Sequence, residues 1–238
     1  MKNHKIVVFD LDQTLGDFGN LSVFWSGLQD YVKQPLNEPD FYYLMDVFPQ
    51  VLRPNILNIL DYLKNRKEGG NCSKVMIYTN NNGQKKWSLM IKRYLEYKLN
   101  SPLFDRTIAA YKVNGKPIER LRTTHEKTYA DLRRCGHLPQ NIEVCFVDDL
   151  VHPKMKGNNI FYLHIPPYHS QMTPGDMMRQ FLESGMGQTL VTNPSDFYNH
   201  MNPILSHCYP SRRQNMQMNN HNGEMLSKYI QYFLTNNR

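Results

Sequence analysis

The 238-residue chain lacks the features that mark secreted, zinc-bound and membrane-spanning proteins. Its four cysteines include no pair in CxxC spacing, which argues against a zinc cage or a disulfide framework. No apolar run reaches the roughly 18 residues of a membrane-spanning helix. Residues 1–5 lead into the first apolar segment without the apolar region of a signal peptide. We therefore expect an intracellular protein, cytoplasmic or nuclear, with no membrane partner.

The composition favours a globular protein with a polar, basic surface. Hydrophobic residues make up 40% of the chain, and the mean hydropathy is −0.60. The formal net charge is +7, and residues 106–134 hold eight basic against three acidic side chains. Such a segment suits a phosphorylated or nucleic-acid partner, or simply a solvated basic face. The basic residues are Arg106, Lys112, Lys116, Arg120, Arg122, Lys127, Arg133 and Arg134.

Short apolar runs alternate with segments of helical spacing, which predicts βαβ units and an α/β fold with a mostly parallel central sheet flanked by helices. Asn114-Gly115 is a strong two-residue turn signal and predicts a small β-hairpin over 108–121. Pro54 suits the first turn of a helix. Strands are predicted at 6–9, 74–79, 104–110, 142–147 and 160–165. One helix is predicted to begin near Pro54 and to end at Glu68-Gly69, and another to span 87–99.

The pattern divides the chain into a core and a C-terminal extension. We expect a core over 1–166, with a small helical flap or cap insert at about 17–50. A helical extension should follow over 167–210, with helices at 174–183 and 195–205. Residues 211–238 are predicted to be a polar linker and a short terminal helix at 225–234.

Two aspartates follow the first predicted strand, with one residue between them. Asp10 lies at the strand tip and Asp12 in the following loop. In an open α/β sheet the ligand crevice lies at the carboxyl ends of the strands, so both carboxylates are expected there. Carboxylates this close favour a bound cation or a shared proton, and Mg²⁺ prefers oxygen ligands. Taken alone, the pair also fits a solvated acidic turn.

Further polar residues stand at the ends of other predicted elements. Thr79-Asn80 ends the second strand, Asp148-Asp149 ends the fourth, and Lys127 stands near the start of a helix. In a parallel sheet these positions converge on one crevice. Each is ordinary alone, since Thr79 is a normal strand-end residue and Lys127 a normal helix lysine. Their joint order predicts a phosphotransfer site.

Over about residues 4–166 the sequence resembles the haloacid dehalogenase (HAD) superfamily of phosphohydrolases. The matching motifs are Asp10-Leu11-Asp12-Gln13-Thr14-Leu15, Thr79, Lys127 and Asp148-Asp149. Within it the chain is most similar to the branch of the RNA polymerase C-terminal-domain phosphatases and NLI-interacting-factor-like proteins. The pointers are Leu52-Arg53-Pro54, Phe104-Asp105-Arg106, Lys127–Leu132 and Phe146-Val147-Asp148-Asp149. It is also similar to HAD-like proteins of large DNA viruses, which implies a host cytoplasm or a virion.

The lysine motif departs from that branch, which usually places its lysine immediately before an Asp-Leu pair. Here Ala130 holds that place, and Lys127 lies one helical turn earlier, in a helix that Thr124 is predicted to cap. Lys116 is a rival for the same role. Gln13 stands where an acid is common, and Asp149 where the branch often has Asn. These differences bear on the substrate more than on the reaction.

The resemblance implies a Mg²⁺-dependent phosphoric monoester hydrolase that forms an aspartyl-phosphate. Asp10 would attack phosphorus, and Asp12 would act as general acid and then as general base. Mg²⁺ would be held by Asp10, the Asp12 carbonyl and a carboxylate of the Asp148-Asp149 motif. Asp149 is the preferred ligand of that motif, with Asp148 orienting ligands or water. The Thr79 hydroxyl, the Asn80 backbone N–H and Lys127 would hold the phosphoryl group.

The substrate class stays open at this level. A phosphoprotein or a small phosphate ester fits the resemblance. The basic segment 106–134 also allows a nucleic-acid 3′-phosphatase or nucleotidase, or a catalytically silent module that binds nucleic acid. The chain has no P-loop pattern, which argues against a kinase.

Overall fold

The computed structural model describes residues 4–81, 86–206, 208 and 215–236. A five-stranded parallel sheet forms its centre, with the strand order β3-β2-β1-β6-β7. The predicted α/β class with a parallel sheet is confirmed. The strands are β1 (His4–Phe9), β2 (Lys74–Tyr78), β3 (Phe104–Ile108), β4 (Lys112–Val113), β5 (Lys116–Pro117), β6 (Ile142–Asp148) and β7 (Ile160–His164).

The central strands are apolar along their whole length because helices cover both faces of the sheet. In β1 all residues after His4 are buried, and in β6 all seven are buried. Phe9 is in register with Ile77 of β2 and Val147 of β6. The carboxyl ends of the three strands therefore lie side by side.

The sheet separates a larger from a smaller hydrophobic core, because alternate strand residues face opposite sides of it. Among the described helices, none has the length and apolar character needed to cross a bilayer. The helices are α1 (Gly19–Val32), α2 (Glu38–Val47), α3 (Ile56–Glu68), α4 (Trp87–Lys98), α5 (Tyr129–Gly136), α6 (Pro174–Glu183), α7 (Gly185–Leu190), α8 (Pro194–Leu205) and α9 (Met216–Thr235).

The insert at 17–50 forms α1 and α2, and the C-terminal helices pack onto it. Phe24 of α1 makes edge contacts with Phe48, Phe181 and Phe197 at centroid distances of 5.2, 5.4 and 6.4 Å. The insert and the extension thus share one aromatic cluster. The start of α2 is fixed by a capping box between Asn37 and Asp40.

Asn114 and Gly115 form the turn between β4 and β5, as predicted. Their φ angles are 49° and 76°, the left-handed values of a type I′ turn.

Two helix starts differ from the predictions. Pro54 lies before α3, which begins at Ile56 after Asn55 in the left-handed region with φ 66°. Thr128, and not Thr124, caps α5 by accepting a hydrogen bond from the Asp131 N–H. The Thr124 hydroxyl instead accepts from the Glu126 N–H in a local turn. Lys127 therefore precedes the helix.

The last helix is longer than predicted. Residues 216–223, assigned to the linker from their polarity, are helical, while 211–214 lie outside the described residues. Asn219 and Gly223 are buried, and a Cβ at Gly223 would lie 2.4 Å from the Pro54 carbonyl oxygen. Only glycine allows this close approach to the segment that precedes α3. At the other end, Lys5 donates to the Phe233 carbonyl at 2.8 Å and stabilises the helix C-terminus.

Candidate active site

The carboxyl ends of β1, β2 and β6 bring the predicted polar residues to one edge of the sheet. Asp10 follows β1 and donates its backbone N–H to the Val147 carbonyl at 2.9 Å. Thr79 follows β2, Asp148 ends β6 and Asp149 comes next. These four polar side chains are buried even though they lie at the ends of strands.

Lys127 is the lysine that reaches this cluster. Its Nζ lies 2.5 Å from Asp10 Oδ1 and 2.7 Å from Asp148 Oδ2, and the side chain is only 2% exposed. Lys116 is exposed on the hairpin strand β5. Of the two lysines weighed from the sequence, the structure places Lys127 against Asp10.

Three carboxylates form a compact group of oxygen donors. Ligand atoms of Asp10, Asp148 and Asp149 all lie within 4.8 Å of one another, and each of the residues is buried. One ammonium group, that of Lys127, cannot balance three carboxylates when all are ionised. The donor set and its excess negative charge fit a hard divalent cation such as Mg²⁺.

The carboxyl groups of this cluster titrate differently. Burial raises the pKa of Asp10 to about 7, and the Lys127 charge only partly opposes this. Burial also acts on Asp148, but the contact of His152 Nε2 at 3.3 Å and the charge and hydrogen bond of Lys127 outweigh it and hold its pKa below the usual range. The pKa of Asp149 is raised by burial and then by the neighbouring Asp148 charge.

Asp12 lies outside the three-acid group and has a hydrogen-bond partner of its own. Its Oδ2 accepts a hydrogen bond from Asn81 Nδ2 at 2.7 Å. Burial raises the pKa of the Asp12 carboxyl, and the Asn81 hydrogen bond opposes that rise. A carboxyl group with a raised pKa is suited to donate a proton.

Thr79 and Asn80 occupy the loop after β2. The Thr79 Oγ1 accepts from the Asn81 N–H at 3.0 Å, which leaves its own hydroxyl proton available for another acceptor. Asn80 is exposed, and its Oδ1 accepts from Arg122 at 2.8 Å. Both residues follow the carboxyl end of β2, the strand that neighbours the one ending before Asp10.

Arg53 holds the loop that follows β1. Its Nε donates to the Thr14 carbonyl at 2.6 Å, and Nη2 donates to the carbonyls of Gln13 and Pro166 at 2.6 and 2.8 Å. The side chain is buried, and burial lowers its pKa to about 10. The sequence singled out Leu52-Arg53-Pro54 only as a family pointer and gave no sign of these three acceptors.

Arg122 holds the loop that follows β2, and sequence reasoning missed this role. It is buried and donates to the carbonyls of Thr79 and Ala109 at 3.2 and 2.9 Å. The sequence pattern assigned Arg122 and Lys127 to a basic surface segment. Both are internal, and Arg106 of the same segment pairs with Glu119 at 3.2 Å.

A cavity of about 330 Å³ opens beside Asp12, between α1 and α4. Aromatic and apolar groups from the two helices line it together with hydroxyl and amide groups. Its lining includes Asp12, Ser22, Trp25, Asn81, Trp87 and Met90. No sequence pattern predicted this cavity, because it depends on how the insert packs against α4.

Comparison with protein-family models, with curated proteins and with solved structures finds no match for this chain. Its function is therefore inferred from the arrangement of its own side chains.

Proposed function

We propose that this protein is a Mg²⁺-dependent phosphatase of the HAD type, which hydrolyses phosphate monoesters through an aspartyl-phosphate on Asp10. The observation that supports this most is the position of Lys127 between Asp10 and Asp148, at 2.5 and 2.7 Å. A buried ammonium group beside a strand-end carboxylate is what attack on an anionic phosphate requires, because nucleophile and substrate otherwise repel each other.

In the first step an Asp10 carboxylate oxygen attacks phosphorus, and the bond from phosphorus to the ester oxygen breaks. Asp12 gives its proton to that oxygen, so the alcohol leaves neutral. In the second step water attacks phosphorus, Asp12 takes the water proton, and the acyl-phosphate bond breaks. Inorganic phosphate leaves and both aspartates return to their starting forms.

Several groups support the phosphoryl group during transfer. Lys127 offsets its charge, and the Thr79 hydroxyl and the Asn80 backbone N–H stand at the neighbouring strand end. Fixed donors of this kind need no reorientation as charge develops. Positioning and electrostatics account for most of the rate in phosphoryl transfer.

The three-acid group fits Mg²⁺ by its chemistry, because its donors are buried carboxylate oxygens within 4.8 Å of one another. Asp10, Asp149 and the Asp12 carbonyl would hold the ion, and Asp148 would orient them. When bound, Mg²⁺ shields the phosphate charge and polarises its oxygens.

The binding-module alternative draws less support from the structure. Of the eight basic residues in 106–134, Arg122 and Lys127 are buried and Arg106 is paired with an acid. The remaining surface charge is smaller than the sequence suggested. A 3′-phosphatase or nucleotidase remains compatible with the site, since it uses the same chemistry.

The proposal is tested with p-nitrophenyl phosphate and Mg²⁺. Wild-type protein should release phosphate, and Asp10→Asn should lose at least about a thousandfold in kcat, because the nucleophile is gone. Asp30→Asn is the matched control, since Asp30 is an exposed acid of α1. Asp12→Asn should accumulate acid-stable phosphoenzyme. Equal activity of Asp10→Asn and wild type contradicts the mechanism.

A lack of turnover on phosphopeptides, nucleotides and sugar phosphates, with salt-dependent RNA binding, favours the binding module.

A further inference from the structure

We propose that the cavity beside Asp12 binds the leaving group of the substrate, and that it selects phosphate monoesters whose leaving group carries a planar heteroaromatic ring of nucleobase size. This inference rests on the proposed phosphatase function and specifies its substrate class. The ester would be the size of a mononucleotide.

Both tryptophans of the chain line this cavity, Trp25 from α1 and Trp87 from α4. Each packs edge-on against Phe41, with ring centroids 5.4 and 5.3 Å apart and interplanar angles of 76° and 72°. Each indole is 7% exposed. The two rings are thus held by the protein core, so a ligand ring would not have to order them on binding.

The size of the cavity limits what can enter. Its volume of about 330 Å³ lies at the small end of the range for small-molecule sites, which begins at about 300 Å³. That is room for one ring system with a short attachment, not for a stretch of polymer. The cavity therefore favours a mononucleotide-sized ester.

The lining combines apolar surface with hydrogen-bonding groups. Phe18, Met90 and the two tryptophans supply the apolar part, while Ser26 and Gln29 add a hydroxyl and an amide. A heteroaromatic ring has apolar faces and a polar edge, which matches both kinds of group. A phenol ring has one polar atom and would engage fewer of the hydrogen-bonding groups in the lining.

The position of Asp12 identifies which part of the substrate would occupy the cavity. Asp12 forms part of the cavity wall, and the nucleophile Asp10 lies toward Lys127 and Asp148. Because Asp12 protonates the leaving oxygen, that oxygen must lie at the mouth of the cavity. The group bonded to it, rather than the phosphoryl group, then extends into the cavity that both tryptophans line.

The first test compares adenosine 5′-monophosphate with ribose 5-phosphate in the presence of Mg²⁺. The two esters share a primary alcohol as leaving group and differ in the base. The wild-type kcat/KM for the nucleotide should exceed that for the sugar phosphate by about 5- to 150-fold, since one stacked base contributes about 1–3 kcal/mol. A ratio near one overturns the inference.

Gly19→Leu is the variant that fills the cavity. Gly19 lines it, and a Cβ there would lie no closer than 4.0 Å to any described neighbour, the nearest being Asp17 Oδ1. The ratio of the two kcat/KM values should fall toward one. Gly175→Leu is the matched control, a helix-start glycine whose Cβ would meet Thr173 Oγ1 at 3.8 Å, and it should keep the wild-type ratio. If Gly19→Leu keeps that ratio as well, the cavity does not select the ring.

The second test does not depend on turnover. Because both tryptophans line the cavity, intrinsic fluorescence reports directly on its occupancy. Adenosine should change the emission of wild type and Gly175→Leu but not of Gly19→Leu, and ribose 5-phosphate should leave it unchanged. A response to a phosphotyrosine peptide without one to adenosine overturns the nucleobase assignment.

The two proposals fail in distinguishable ways. Equal hydrolysis of both esters with no adenosine response overturns the ring site and leaves the phosphatase intact. An adenosine response without hydrolysis of either ester overturns the phosphatase and, with it, the leaving-group role of the cavity.

Discussion

Lys127 Nζ bridges Asp10 and Asp148, so one ammonium group joins the carboxyl ends of β1 and β6. The lysine is held in place by the residues that follow it. The Thr128 N–H donates to the Tyr78 hydroxyl at 3.3 Å. The backbone next to Lys127 is thus positioned by Tyr78 of β2 as well as by the start of α5.

Replacing Lys127 should strongly reduce phosphatase activity. Lys127→Met removes the charge that offsets the phosphoryl group and Asp10, and kcat should fall at least about a hundredfold. Lys116→Met removes an exposed lysine and should leave kcat within twofold of wild type. Both are measured with p-nitrophenyl phosphate and Mg²⁺. Equal losses in the two variants would contradict the assignment of Lys127.

The same substitution should also lower the free energy of unfolding, by about 3–5 kcal/mol, because buried carboxylates lose their partner. The double variant Lys127→Met, Asp10→Asn removes one of those carboxylates and should recover part of the stability, but not the activity. Urea unfolding measures the stability, and kcat measures the activity. Recovery of activity would contradict the assignment of Asp10 as the nucleophile, because the double variant lacks its carboxylate.

Magnesium should raise the melting temperature through the three-acid group. An ion that binds only the folded state at 100 times its Kd contributes about 2.7 kcal/mol. Asp149→Asn should reduce the magnesium-dependent shift, because it removes one of the three carboxylates. Asp30→Asn, in an exposed part of α1, should keep it. A shift of equal size in Asp149→Asn, or with NaCl at matched ionic strength, would count against the metal site.

Without divalent cations, Asp10 should make the folded state less stable as pH rises. Its pKa is raised from 3.8 to about 7, so the folded state binds the proton more tightly than the unfolded state. The contribution of Asp10 to stability is then greatest below pH 4 and declines until about pH 7. Each pKa unit corresponds to about 1.4 kcal/mol, which sets an upper limit of a few kcal/mol.

This pH effect is measured by urea unfolding of wild type and Asp10→Asn in EDTA. The unfolding free energy of wild type minus that of Asp10→Asn should decrease between pH 4 and pH 7. The subtraction removes the opposite contribution of Asp148, whose pKa is lowered. Added Mg²⁺ should reverse the decrease near pH 7. A difference that stays constant with pH would mean that Asp10 is not buried beside Lys127 as described.

Much of the site was predictable because parallel strands present their carboxyl ends at one edge. Knowing that Asp10, Thr79 and Asp148 follow apolar strands was enough to bring them together. The choice between Lys127 and Lys116 was not predictable in this way. It depends on the conformation of the long loop between β5 and α5. The local sequence around either lysine does not determine that conformation.

The contacts that could not be predicted are long-range ones. Arg53 and Arg122 donate to carbonyl oxygens, which every residue has, so no sequence pattern marks the acceptors. Trp25 and Trp87 come close only because the insert packs against α4 through Phe41. Residues 216–223 looked like a linker because they are polar, but they form the first turns of α9, in which Asn219 is buried and Gly223 packs against Pro54 and Asn55.

Arg53 should be required for the shape of the loop that carries Asp12. Its guanidinium donates to the carbonyls of Gln13, Thr14 and Pro166 at once, and Gln13 has the left-handed φ of 59°. A lysine has the same charge but a single nitrogen, which cannot reproduce this fork. Arg53→Lys should therefore lower kcat by about tenfold or more while KM changes little.

Arg53→Lys should also lower the free energy of unfolding by about 1.5–3 kcal/mol for each charged hydrogen bond lost. Arg179→Lys is the matched control, because Arg179 is exposed and pairs with Asp176 within its own helix. It should behave like wild type in both measurements. If Arg53→Lys were destabilised yet kept the wild-type kcat, Arg53 would act on the fold alone, and the loop would owe its catalytic geometry to the contacts of Asp12 with Asn81 and of Thr14 with Asp149.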